Sequence, residues 1–376
     1  MLFLVQFAAL FTGATFAFDV IHVLLHKWEH SRFSWLRSAA RLHMTHHQFL
    51  GRDLSLQPSE EKANLRHHVW PEYLTSVAVL LPTFAFLDPA CVAAVLILRT
   101  LFLVGTLHDR GADYNHRRKT RVNGIRSPWS TLGDYHALHH VYPQSAFGSF
   151  TPIIDLVFGT MNPIAGRRFL ITGASGAYGL ALKAQLEAAG AEVETAKFGV
   201  DFKAGNYGAL KARMERADVL VVAHGTKYQD CWNANYVTFT DIIEMFRKIG
   251  RERLLPPEVW AVGSEIEFHG TFGMKALRPY SDSKRAFAEC ARTYYRDNEM
   301  TYRHIVPSAF TSRMGPGLMS ARFAVAVTLF FARRGFRYVP VTYTGFALWN
   351  YLFFRFSTQK KTARPLQDRP QDSLAA

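Results

Sequence analysis

His43-Met-Thr-His46-His47, at residues 43–47, decides how the first half of this chain is read. The pattern recurs at His136-Ala-Leu-His139-His140, and His22-Val-Leu-Leu-His26 precedes both. Spacings of three and four residues stack imidazoles one helical turn apart on one face. A neutral imidazole offers a ring nitrogen to a metal. These side chains are more ligands than one ion uses, so two neighbouring ions are the economical reading. His108, alone at the end of an apolar stretch, is a further candidate ligand. Nitrogen donors of this kind suit iron, zinc or copper. A pH-sensing cluster and an incidental structural role are the weaker alternatives. Of 16 histidines, 13 precede residue 141. Composition therefore changes near residue 160, and two domains are expected.

The flanking sequence places the histidines beside a membrane. Residues 1–18 carry no charge, and no basic segment precedes the apolar run, which favours a retained anchor over a signal peptide. A second apolar block, residues 73–107, is interrupted only by Asp88 and Arg99, and Leu87-Asp88-Pro89 splits it. Each piece is short for a full crossing, so a helical hairpin returning to its side of entry is expected, with a buried soluble helix pair as the alternative. Basic residues crowd 26–72 and 108–126, predicting a multi-pass integral membrane protein with its catalytic parts facing the cytoplasm.

The formal net charge of +14 fits an anionic membrane surface. Nucleic acid is not expected as a partner, because the cations flank apolar spans and form no stripe with stacking aromatics. With 49% hydrophobic and 20% charged residues, whole-chain disorder is excluded. The three cysteines form no CxxC pair, which argues against a disulfide framework.

Residues ~15–160 resemble the fatty-acid hydroxylase/sterol desaturase superfamily of membrane di-iron enzymes, through the three histidine groups in that order. Asp19 before His22, Phe147-Gly148, and Asp155-Leu-Val-Phe-Gly-Thr160 extend the likeness. The resemblance implies an all-α membrane domain (1–160) with a di-metal site holding two Fe ions. The ligands would be His22, His26, His43, His46, His47, His136, His139, His140 and, less securely, His108. It also implies O2 as oxidant, a lipid substrate (sterol-, carotenoid- or fatty-acyl-like), and hydroxylation or desaturation. An external ferredoxin- or cytochrome-type electron donor follows, since no haem or flavin motif is present. His116 and the His67-His68 pair are extra histidines suited to supporting positions.

The second half reads differently. After a short linker, Arg168–Ile171 is a strand-like run entering Thr172-Gly-Ala-Ser-Gly-Ala-Tyr-Gly179, with a helical stretch behind it. Glycines there allow a tight turn and close approach of backbone N–H groups to a pyrophosphate at a helix N-terminus. Further strand-like runs at 191–195, 219–223, 259–263 and 304–307 alternate with helices, predicting an α/β doubly wound Rossmann domain over 167–320. Tyr280-Ser-Asp-Ser-Lys284 places an ammonium one helical turn from a phenol, which lowers the phenol's pKa toward neutrality.

This half resembles the short-chain dehydrogenase/reductase family. The resemblance implies that Tyr280 transfers the proton, Lys284 holds the nicotinamide ribose, Ser264 polarises substrate, and Asn235 supports a proton relay. Gly173, Ser175, Gly176 and Gly179 would cradle the nucleotide, and Thr311 would lie beside the nicotinamide amide. Ala177 replaces a family glycine, and His224 stands where the family has an alanine. After the second strand come Lys197 and, later, Asp201; a cation there favours NADP over NAD. Residues 321–356 are expected to be an apolar membrane-associating or capping segment, and 357–376 a disordered tail.

The whole predicts a bifunctional membrane lipid-modifying oxidoreductase. Its rivals are a membrane-anchored reductase with a non-catalytic histidine domain, and a non-enzymatic lipid-binding scaffold.

Overall fold

The computed structural model describes residues 1–123, 128–129, 131 and 134–356. They divide into two compact units. The first comprises Met1–Gly166 with the returning segments Glu252–Pro256 and Phe330–Phe336; the second comprises Arg167–Arg251, Pro257–Leu329 and the chain from Arg337.

The first unit is helical. Its elements are α1 (Leu2–Trp28), α2 (Ser34–His43), α3 (Thr45–Phe49), α4 (Glu61–Asn64), α5 (Trp70–Leu80), α6 (Pro89–His108), α7 (Tyr135–Val141) and α8 (Ile153–Phe158). A π-turn, Leu65–Val69, joins α4 to α5. Leu10 and Ala14 of α1 pack on Leu80 of α5 and on Cys91, Val92 and Val95 of α6. The break at Leu87-Asp88-Pro89 is where α6 starts. Asp88 Oδ1 accepts the Ala90 N–H at 2.9 Å, and Pro89 sits at the first helical turn, where its missing donor costs nothing.

Both α1 and α6 are long and apolar enough to cross a bilayer. The α6 helix, at 20 residues, exceeds the short piece expected from sequence. Arg99 does not interrupt it. The guanidinium is buried against α1, donates to Phe11 O at 3.0 Å and to Thr15, and lies 4.2 Å over the Phe11 ring. An apolar helix tolerates a cation satisfied in this way.

The second unit is a parallel six-stranded sheet covered by helices. Its strands are β1 (Arg168–Thr172), β2 (Glu192–Ala196), β3 (Val219–Val222), β4 (Glu258–Val262), β5 (Thr301–Pro307) and, after the short pair β6 (Phe310–Thr311) and β7 (Met319–Ser320), β8 (Tyr338–Val341). The order is β2-β1-β3-β4-β5-β8. Helices α9 (Ala177–Ala188), α10 (Gly208–Arg216), α11 (Thr238–Ile249), α12 (Ile266–His269), α13 (Arg278–Arg296), α14 (Ala321–Arg333, as far as Leu329) and α15 (Phe346–Phe356) complete the unit. Central strands such as β3 (Val-Leu-Val-Val) are buried at every position, as a sheet covered on both faces requires. The order reverses between β1 and β3, and a doubly wound sheet binds its ligand at the carboxyl ends flanking that point.

The 321–356 segment, expected to associate with a membrane or to cap the domain, also supplies a strand of the sheet. Tyr338–Val341 pairs with β5 as the sixth strand, with Pro340 opposite Val306. An edge strand accommodates a proline because one side of its ladder is unused. The expected disordered tail, 357–376, lies outside the described residues.

Candidate functional site

Ten histidines converge in the first unit. α1 supplies His22 and His26; α2 and α3 supply His43, His46 and His47; α7 supplies His136, His139 and His140. His68, on the π-turn, and His116, in the loop after α6, complete the set. Ring nitrogens of His22, His26, His47 and His139 lie within 4.8 Å of one another, as do those of His46, His116, His136 and His140. These two fours share no residue. His43 joins His22, His46 and His47 in a third such group, and His68 stacks on His46 at 4.2 Å.

The rings are aimed by what their other nitrogens hold. Nδ1 of His46 faces His43 O at 2.9 Å, that of His139 faces Ser145 O at 2.9 Å, and that of His140 faces Leu50 O at 2.8 Å. Nδ1 of His116 faces the Asp113 carboxylate at 2.8 Å. Carbonyl or carboxylate capture of one ring N–H fixes the tautomer and presents the other nitrogen inward. Phe147 covers the cluster, its ring 5.1 Å from that of His139 and 5.6 Å from that of His22. The Asp155 carboxylate holds the Phe147 turn by accepting the N–H groups of Phe147 (3.0 Å) and Gly148 (2.8 Å). A Cβ at Gly148 would lie 2.2 Å from Thr151 O, so only glycine passes there.

Burial, reinforced by neighbouring imidazoles, pushes His43, His46, His47, His68, His136, His139 and His140 well below the ordinary histidine pKa. They are therefore neutral, the form a metal accepts. At His116 burial also opposes charge, but the Asp113 carboxylate outweighs it and raises the pKa.

His108 departs from the sequence expectation. It is exposed at the end of α6 and makes no ring contact with the cluster. His68 and His116 occupy the interior instead. The Asp113-Tyr-Asn-His116 spacing was a legible signal for His116; the π-turn that aims His68 was not.

In the second unit, a cleft of about 600 Å³ opens at the carboxyl ends of the strands. Gly173, Ser175, Gly176, Gly179, Lys197, Asn235, Ser264, Tyr280 and Lys284 all line it. Gly173 has φ +77°, and a Cβ there would meet the His224 backbone at 2.5 Å; one at Gly179 would meet Gly173 O at 2.4 Å. The turn can therefore wind tightly into the start of α9.

Tyr280 and Lys284 lie one turn apart on α13. Lys284 Nζ donates to Val262 O at 3.0 Å, and burial pushes its pKa down to about 8, partly opposed by Glu267. The lowering of the Tyr280 phenol toward neutrality expected from Lys284 is not found: burial pushes Tyr280 up to about 12, against a hydrogen bond from the Ser264 hydroxyl, while the Lys284 ammonium is engaged by Val262 O. Asn235 sits on a second π-turn, Asn233–Val237. Its Oδ1 accepts Thr226 N–H at 3.0 Å, and its Nδ2 donates to Thr226 O at 2.8 Å and Ser283 Oγ at 3.0 Å. It thereby joins the loop after β3 to α13. His224 is buried between Thr172 and Thr238, with 2.8 Å contacts to both hydroxyls.

Two expected cleft residues lie elsewhere. Asp201 accepts the Lys197 N–H at 2.7 Å and pairs with Arg213 at 3.1 Å, so its charge is spent on the loop. Thr311 is exposed, donating to Gly317 O at 2.9 Å, because β6 turns it outward while Phe310 and Ser312 line the cleft. Sequence reasoning missed Glu265 and Glu267. Glu265 lines the cleft and accepts the Ala347 N–H at 3.0 Å. Glu267 lies beneath Ser264, accepts its N–H at 3.3 Å, and pairs with His304 at 2.9 Å and Asn350 at 2.8 Å.

The fatty acid hydroxylase family model matches residues 7–160, the span that contributes all ten clustered histidines. Residues 7–160 form a fatty acid hydroxylase domain. Across nearly the whole length, the chain is 25% identical to a monoglucosyldiacylglycerol epimerase of Synechocystis sp., covering 91% of this chain and 94% of that protein. Solved structures similar to the second unit include a short chain dehydrogenase from Burkholderia cenocepacia in complex with NADP (18% identity, TM-score 0.40, covering 50% of this chain and 93% of that one). A short chain dehydrogenase/reductase from Burkholderia phymatum in complex with NAD is another (16% identity, TM-score 0.41, covering 52% and 98%). The second unit's parallel sheet, ordered β2-β1-β3-β4-β5-β8 with helices on both faces, is of the doubly wound Rossmann type on its own topology, and with its fatty acid hydroxylase domain the chain is an oxidoreductase.

The hydroxylase domain's donor set suits metal. Buried ring nitrogens of His22, His46, His68, His116, His136 and His140 have no hydrogen-bond partner. His26 Nε2 approaches those of His43 and His47 at 3.2 and 3.1 Å, and His47 Nε2 approaches that of His139 at 3.1 Å. Neutral imidazole nitrogens facing each other so closely gain from a cation between them. Two donors each ~2.1 Å from one ion, at right to tetrahedral angles, lie about 3.0–3.4 Å apart.

Proposed function

We propose that this lipid-modifying oxidoreductase is bifunctional. The hydroxylase domain would hold two iron ions and oxidise an unactivated C–H position of a lipid, by hydroxylation or desaturation. The second unit would interconvert a secondary alcohol and a ketone using NADP. The observation that carries the first half is the pair of four-histidine groups with no residue in common. The observation that carries the second is the meeting of Ser264, Tyr280, Lys284 and the glycine turn in one cleft.

In the hydroxylase domain, His22, His26, His47 and His139 would hold one ion and His46, His116, His136 and His140 the other, with His43 and His68 beside them. Bound iron supplies O2 activation, with electrons from an external ferredoxin- or cytochrome-type donor. The chain's own part is to fix ring orientation through Ser145 O, Leu50 O and Asp113, and to exclude water with Phe147.

In the second unit, the glycine turn and the N-terminus of α9 would hold the pyrophosphate, and Lys197 the 2′-phosphate. Bound NADP supplies or accepts the hydride. Ser264 would orient the substrate oxygen, and Tyr280 would give its proton to that oxygen or take it away. Lys284 would stabilise the phenolate form. The Synechocystis relative's name favours a glycolipid head group as the alcohol. Oxidation and re-reduction of one sugar carbon from opposite faces would invert it without changing mass.

The deciding experiment is lipid mass spectrometry, with separation of sugar stereoisomers, on cells with and without the gene. The comparison extends to cells carrying His139→Ala or Tyr280→Phe. A lipid one oxygen heavier or two hydrogens lighter, lost with His139→Ala, supports the iron reaction. An inverted head group, lost with Tyr280→Phe, supports the NADP reaction. Lipids unaltered by the gene would overturn both.

A further inference from the structure

From the outer face of α15 and the loop before α13, we infer that the second unit rests on an anionic lipid surface and takes its substrate from there. The inference rests on reading that unit as acting on a membrane lipid.

Helix α15 is two-faced. Ala347, Asn350 and Phe354 are buried against the unit, whereas Leu348, Trp349, Leu352, Phe353 and Phe356 are exposed by 45–74%. Their spacing of one, four, five and eight residues makes a single stripe. Large apolar side chains left in water along one helix face mark an interaction surface.

The stripe continues to the cleft. Phe268 contacts Phe353 at 5.3 Å and Phe346 at 6.3 Å; Phe346 lies 6.0 Å from Phe272, and Phe272 stacks on His269 at 4.5 Å. His269 and Met274 line the cleft. Phe272, 67% exposed, stands at the tip of a loop between two positive-φ glycines, Gly270 and Gly273. A path of aromatic rings thus runs from the outer surface of α15 to the site holding Ser264 and Tyr280.

Charge selects the occupant. The loop 270–278 and α15 contain no acidic residue, but contribute Lys275, Arg278 and Arg355, all exposed; Arg278 also lies 4.0 Å from the exposed Asp282 of α13, so Lys275 and Arg355 supply most of the net positive charge. Apolar and aromatic side chains on one face with cations at the rim describe an interfacial helix on anionic lipid. The same chain carries α1 and α6, each long and apolar enough to cross a bilayer, so a membrane is always within reach. A diacyl lipid whose head group enters the cleft keeps its tails in the bilayer, and an apolar rim lets it do so.

The test uses the full-length protein in nanodiscs of phosphatidylcholine with phosphatidylglycerol. An environment-sensitive fluorescent amino acid replaces Leu352, or Lys211 on exposed α10 as the control. Acyl-brominated lipid is expected to quench the Leu352 probe several-fold more than the Lys211 probe, and aqueous iodide several-fold less. Equal iodide access at both positions would overturn the inference. So would shielding of Leu352 seen only in nanodiscs holding two copies, which would assign the face to self-association. Quenching is read without turnover. Bilayer contact without any NADP-linked reaction would therefore sink the functional reading alone, and turnover of bilayer lipid with a water-exposed Leu352 would sink this inference alone.

Discussion

Asp113 accepts the Nδ1–H of His116 at 2.8 Å and so turns the opposite ring nitrogen into the histidine cluster, where it has no other partner. The same carboxylate oxygen takes the backbone N–H groups of Asn115 and His116, each at 2.8 Å, which makes the loop and the ring one rigid piece. Removing such a support usually costs about 10–100-fold in metal affinity. Asp113→Ala should therefore retain iron that far less well, as measured by metal per chain after dialysis against a graded chelator series.

The same measurement separates the interior histidines from the exposed one. His116→Ala and His136→Ala should lose metal at least as readily as Asp113→Ala. His108→Ala should keep the wild-type metal content, because its ring lies outside the cluster. Loss of metal in the His108 variant would restore it as a ligand.

Lys284 and Tyr280 set a pH profile. Burial lowers Lys284 to about 8 and raises Tyr280 to about 12. In the reducing direction the phenol must be protonated, and it stays so through the working range. The ammonium is lost as pH rises past about 8. The kcat/KM for ketone reduction reports the free enzyme. It should be level below that pH and fall above it, and Lys284→Arg, which does not titrate there, should remove the falling limb.

Gly179 tests the nucleotide cradle. A methyl group 2.4 Å from Gly173 O forces the turn open. Overpacking costs about 1–3 kcal/mol, or roughly tenfold to a hundredfold in affinity. Gly179→Ala should weaken NADPH binding by that factor in a fluorescence titration, whereas Thr311→Ala should leave it unchanged.

At the start of β4, Glu258 pairs with Arg167 and with Arg303 of β5, each at 2.7 Å, and accepts the Trp260 indole N–H at 2.6 Å. Removing one partner of a buried pair costs about 3–5 kcal/mol. Glu258→Ala should show that loss in denaturant unfolding of the second unit. Although burial opposes its charge, the two guanidinium groups hold Glu258 at about 2, below its unfolded value. Its stabilising contribution is therefore complete above the unfolded carboxylate range, and should fade as pH falls from about 5 toward 2.

What the sequence made legible follows from how local each signal is. Histidines at helical spacing, the glycine turn and the Tyr280/Lys284 pair are short-range patterns, and all but His108 lie where convergence was expected. His108 misled because it ends an apolar helix, a position that says nothing about which way the ring faces. Asp201 and Thr311 misled for a related reason: each finds a nearer partner, in Arg213 and in Gly317. Tyr338–Val341 hid inside a longer uncharged run, where a buried strand and a membrane-seeking helix look alike. Glu267 could not be found in advance, since its importance lies in meeting His304 and Asn350 from distant parts of the chain.

The two π-turns have a consequence for how these units tolerate change. Each packs one more residue into a coil than its neighbours do, at 65–69 around His68 and at 233–237 around Asn235. Excising that surplus residue from either would restore regular winding and leave the helix beyond it in nearly its old phase, because the wider turn is what absorbs the extra residue; only the side chains on the turn itself would be re-aimed. His68 would then leave the cluster while α5 still packed, and Asn235 would release Thr226 while α11 stayed on the sheet. A helical unit and a parallel-sheet unit thus each keep a buried polar side chain on a one-residue surplus, and a single-codon deletion there would disarm the unit without dismantling it.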